Sequence, residues 1–152
     1  MTHPPHRRTG TGEIVSDLVE ESELVQALAR SLDLPLHSPD PVRLLGRHLL
    51  STLVHLATAT ATAAAVVDLT DPITAVRLRS LARIHRALSS LLSASNSMAA
   101  ALEQATTAPV TDTAGLVQAS RLRAAALLTS ASAHLGEAAG LLRSDRTTTA
   151  SG

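Results

Sequence analysis

Three histidines, His55, His85 and His134, are the side chains whose spacing best fits a shared chemical site. Neutral imidazole is a good ligand for zinc and other borderline divalent metals, and three of them with a water in the fourth position make an open site. His55 and His85 stand at equal sequence distances on either side of Thr70. His85 and His134 flank Pro109 almost as evenly. If turns fall at Thr70 and Pro109, antiparallel helices bring all three to one level. Facing is less favourable. On a helical wheel His85 falls beside Leu78, Leu81 and Leu92, and His134 beside Leu116 and Leu127. His55 shares its side with His48, away from the main leucine stripe of its helix. The alternative to a metal site is three histidines at the edge of a core, their ring nitrogens on water or a hydroxyl.

Other chemistry finds less support. A carboxylate-bridged metal pair needs Glu-x-x-His on two helices, and the chain has none; Glu103 and Glu137 are the only acidic residues well inside its last two long segments. There is no cysteine, no Gly-x-Ser-x-Gly turn and no lysine for a phosphate-binding loop. The 13 basic and 13 acidic residues cancel, which argues against a general polyanion binder. Arg77, Arg79, Arg83 and Arg86 could meet phosphate, but a salt-bridged helix face accounts for them more simply. Residues 22–50 resemble a helix-turn-helix only loosely, because their connection is too long and proline-rich.

The elements that must position these groups are helical. Asp40-Pro41 and Asp71-Pro72 each set an N-cap side chain before a proline suited to the first helical position. They predict helices over 41–68 and 72–106, joined as a hairpin. A third long helix is expected over 112–143, with Leu116, Ala124, Leu127, Ala131, Leu135, Ala138 and Leu142 at helical spacing. Gly136 and Gly140 weaken its end unless a neighbouring backbone comes close. A shorter amphipathic helix spans 13–33, and Pro35, Pro39 and Pro41 force an extended connection after it. That connector marks the first helix as the piece most open to movement or exchange. Residues 1–12 read as a flexible leader and 144–152 as a disordered tail. The expected fold is all-α: an antiparallel up-and-down bundle of three long helices plus a shorter N-terminal one.

Composition adds constraints. Without Phe, Tyr, Trp or Cys the core is aliphatic, and helices are expected to approach across small residues. All 13 basic residues are Arg, which suggests a high-GC bacterial genome. Glu13, Asp17, Glu20, Glu21 and Glu23 make the first helix acidic, and pairing with the Arg77–Arg86 segment, within or between chains, is the plain reading. The stretch from Leu49 to Val67 carries no formally charged side chain and is long enough to raise a membrane span. Ser, Thr and His dilute it and no aromatic belt exists, so a bundle helix coated by its neighbours is preferred. The Ala/Thr run over 57–63 reads as a helix surface suited to close packing, or else as a ligand-lining surface.

These residues point to a cytoplasmic, non-enzymatic interaction protein: a homo-oligomer, with another protein as a further partner and no membrane span. Nucleic acid is the disfavoured partner. Arg77, Leu81, Arg83, Leu88 and Leu127 are the expected interaction residues. A bundle binding zinc, another divalent metal or a small ligand through the three histidines is the first alternative, and a nucleic-acid-binding regulator the second.

Overall fold

The computed structural model describes residues 10–34, 40–69 and 74–151, with the backbone alone for 146–151. Four helices account for nearly all of it: α1 (Thr11–Asp33), α2 (Pro41–Val67), α3 (Ala75–Ala105) and α4 (Val110–Ser151). α2 begins as its sequence dictates. The Asp40 carboxylate accepts the Arg43 N–H at 3.0 Å, and Pro41 occupies the first turn. The Asp71-Pro72 pair lies outside the described residues. Within them α3 starts after Thr74, whose hydroxyl accepts the Arg77 N–H at 3.1 Å. The expected leader lies outside the described residues over 1–9, and Thr11 and Gly12 already belong to α1.

The helices run alternately up and down. Two hydrogen bonds and an ion pair between α3 and α4 show the antiparallel register: Ser80 reaches the Ala138 carbonyl, Arg83 pairs with Glu137, and Ser120 reaches the Ser97 carbonyl. α1 crosses α4 likewise, with Ser22 against Ser132 and Ser31 against Arg121. α4 packs most extensively on α3 and next on α1, and α1 and α3 stand diagonally apart. Among the described residues, therefore, the acidic α1 does not pack on the Arg77–Arg86 face. Arg77 instead pairs with Asp145 at 3.1 Å and Arg83 with Glu137 at 3.1 Å, both on α4.

Burial follows a heptad-like repeat in each helix. On α4 it takes Val117, Arg121, Ala124, Leu128, Ala131, Leu135, Ala138, Leu142 and Asp145, in steps of four and three. α3 gives Ser80, Ile84, Ala87, Leu91, Ala94, Met98 and Ala101. α1 gives Ile14, Leu18, Glu21, Val25 and Leu32, with partly buried Leu28 completing the stripe. α2 gives Leu45, His48, Thr52, Ala59, Thr62 and Val66. Such a repeat is the signature of left-handed bundle packing, in which side chains of one helix enter gaps of the next. Small residues let the backbones approach, as expected: Ser22 and Ser132 each donate to the other's carbonyl, at 2.9 and 2.7 Å.

Two expectations need correction. α4 continues through 144–151, where the sequence predicts a disordered tail, because buried Asp145 accepts from both Arg77 and the Thr74 hydroxyl at the start of α3. No neighbouring backbone comes close to either glycine of α4's second half, so the weakening reading stands: a Cβ at Gly140 would meet nothing within 4 Å, and at Gly136 only Ser22 Oγ, at an ordinary 3.6 Å. α1 packs its apolar stripe deeply on α4. α2, for which the sequence predicts cover on most sides, is instead open along one face. Only 22% of its most apolar stretch is buried.

Two substitutions test this account. Asp145→Ala leaves Arg77 in a mostly buried position without its partner, and should cost about 3 kcal/mol in urea unfolding. Gly140→Ala, on an exposed helical position with open space, should raise stability by about 0.5–1 kcal/mol in the same assay.

Candidate functional site

The distinctive chemistry gathers along α2, whose two long faces differ. The inner face carries polar groups at positions where a bundle helix usually has aliphatic ones. Thr52 and Thr62 satisfy their hydroxyls on carbonyls one turn back, at 2.8 and 3.1 Å, which leaves their methyl groups to the core. His55 turns toward α1, where its Nδ1 lies 2.5 Å from Oε1 of Glu21. Glu21 sits in the core stripe of α1 and is only 3% exposed. Its second oxygen has no hydrogen-bond partner among the described residues. The pair lines a shallow groove of about 520 Å³ between α1 and α2, bordered by Asp17, Glu20, Val54 and Ala61.

A second polar pair lies near the other end of α1. Arg121 is 2% exposed, and no ion-paired carboxylate accompanies it among the described residues. It donates from Nη2 to the Ser31 carbonyl at 3.1 Å and from Nη1 to Gln118 Oε1 at 3.3 Å. Ser31 lies in the last turn of α1, so the guanidinium satisfies a terminal carbonyl and faces the negative end of the helix dipole. Burial lowers the Arg121 pKa from its ordinary value. Burial, and then the positive charge of Arg121, lower the pKa of His48.

The three histidines expected as ligands share a level but not a face. His55 meets Glu21, the adjacent Ser22 meets Ser132 near His134, and Arg83 near His85 meets Glu137. His85 is exposed on α3, and His134 is half-buried with its Nδ1 unpartnered among the described residues. No three His, Asp or Glu side chains among the described residues form a group able to hold a metal. Of the expected interaction residues, Leu81, Leu88 and Leu127 pack partly buried against the core, while Arg77 and Arg83 are paired with α4.

The outer face of α2 is apolar and open. Leu50 is 64% exposed, Val54 62%, Val67 53% and Leu53 42%. Ala57, Ala61 and Ala64 continue the surface toward the C-terminal end. Sequence reasoning misses both this face and the buried groups Glu21, Arg121 and Asp145. The polar core groups occupy heptad positions, and extending the heptad repeat through charged residues is the signal that finds them.

His48 gives the site a pH dependence. In the unfolded chain it takes up a proton near its ordinary pKa of 6.5, before the folded chain does. The unfolded state is therefore favoured as pH falls below that value. The urea midpoint should drop between pH 7.5 and 5.5, and His48→Gln should reduce that drop; an unchanged slope would remove the assignment. No protein-family model, curated protein or solved structure matches this chain.

Proposed function

We propose that this is a non-enzymatic helical-bundle protein of the cytoplasm that acts through self-association and protein–protein contact, in an adaptor, regulatory or structural accessory role. The observation that carries this reading is the outer face of α2. A contiguous apolar stripe along most of a 27-residue helix costs free energy in water unless another surface covers it. Covering it gains about 25 cal/mol per Å² of apolar area, against which the cost of holding two chains together must be set.

A bilayer is the other surface that could cover it, since α2 is long and apolar enough to cross one by length and composition. Its inner stripe, however, turns His48, Thr52, His55 and Thr62 toward the bundle, and the whole chain lacks the Trp and Tyr that anchor helices at membrane interfaces. Exposed Thr58 and Thr60 on the outer side also suit a protein surface better than hydrocarbon. The cysteine-free composition fits a reducing compartment.

Native mass spectrometry of untagged protein checks the reading. Wild type should appear as a multiple of 15.7 kDa. The double change Leu50→Glu with Val54→Glu, at exposed positions, should return it to the subunit mass with helicity retained. By contrast, Leu81→Asp with Leu88→Asp should unfold the bundle, because both side chains pack on its core. A wild-type chain that stays at the subunit mass across micromolar concentrations contradicts the reading.

A further inference from the structure

We propose that the outer stripe of α2 is the two-fold contact of a homodimer, in which the α2 helices of two copies lie antiparallel and cross near Ala57. The inference rests on the self-association reading above and adds the face, the direction and the register.

Spacing supplies the first argument. Arg47, Leu50, Val54, Ala57, Ala61, Ala64 and Asp68 are all exposed and follow one another in steps of three and four. This is a second heptad-like repeat, offset from the buried one and so on nearly the opposite side of the helix. One repeat is used by the chain's own bundle. The other has the same period and needs a partner helix of the same kind, which a second copy supplies.

Charge supplies the direction. The stripe begins with Arg47 and ends with Asp68, and no formal charge lies between Leu49 and Val67. The acidic end is reinforced by Asp17 and Glu20 of α1, which border the groove beside Ala61 and Ala65. Parallel pairing would set Arg47 against Arg47 and Asp68 against Asp68. Antiparallel pairing sets Arg47 of each copy at the other's acidic end, and it opposes the helix dipoles as well.

Size supplies the register. Within the stripe the larger side chains, Leu50 and Val54, occupy one half and Ala61 and Ala64 the other, with Val67 beside its far end. With the two-fold axis near Ala57, each leucine or valine lies over an alanine of the second copy, and the helices close evenly along their length. A parallel pair would crowd leucine on leucine at one end and leave a gap at the other.

Because the chain has no cysteine, single substitutions on the full-length protein test this directly. Ala57→Cys should form a disulfide-linked dimer under mild oxidation, since the two residues face each other at the axis. Leu50→Cys should not, because its two copies would lie more than about 15 Å apart, given a rise of about 1.5 Å per residue. Mixing Leu50→Cys chains with Ala64→Cys chains should restore the cross-link. Circular dichroism checks that each variant remains helical. Equal cross-linking of Leu50→Cys and Ala57→Cys would overturn the antiparallel register. A non-covalent dimer that Ala57→Cys fails to trap would place the contact on another face, overturning this inference while leaving self-association standing. A monomer would remove both, and a monomer that floats with phosphatidylcholine–phosphatidylglycerol vesicles would assign the stripe to lipid.

Discussion

The structure depends on the stripe that runs along α4 from Val117 to Asp145. Both α3 and α1 pack on this helix more extensively than any other two helices pack on each other, so α4 is the spine of the bundle. Its apolar positions alternate between alanine and leucine, Ala124 then Leu128, Ala131 then Leu135, Ala138 then Leu142. The alanines admit close backbone approach and the leucines fill the spaces between, which is how a chain without aromatic residues can fill a core. Each end of the stripe is held by a buried charge with a defined task. Arg121 satisfies a terminal carbonyl of α1, and Asp145 fixes the start of α3.

Much of this is legible in the sequence, and the boundary between what can and cannot be read has a physical basis. Asp40-Pro41 marks the start of α2 because cap chemistry is local. The four helices, their alternation and the shared level of His55, His85 and His134 follow from apolar spacing and from where the prolines fall. Facing is less legible. The stripe expected for the last helix mixes Leu116 and Leu127, which are only partly buried, with the core positions from Ala124 to Leu142. The true repeat passes from Val117 through Arg121 to Ala124, and hydropathy gives no reason to place arginine in a core. Asp145 escapes notice for the same reason, inside a polar stretch that looks unstructured.

The expectation for α2 departs from the structure in the more instructive direction. The uncharged run from Leu49 to Val67 suggests a helix enclosed by its neighbours, yet its inner stripe carries His48, Thr52 and Thr62 while its outer stripe carries Leu50 and Val54. Average hydrophobicity cannot distinguish these faces, because threonine and alanine are nearly interchangeable on either. Resolving the helix into two heptad stripes separates the one that builds the chain's own bundle from the one left in solvent. The proposed function follows from that surplus.

Amide hydrogen exchange along α2, followed as protein concentration rises, tests the central claim most directly. If a second copy covers the outer stripe, protection over 47–68 should increase with concentration while the α3–α4 pair, already enclosed, stays constant. Exchange over 47–68 that stays fast and does not slow with concentration would contradict the account, because the open face of α2 would then be solvated at every concentration at which the protein exists.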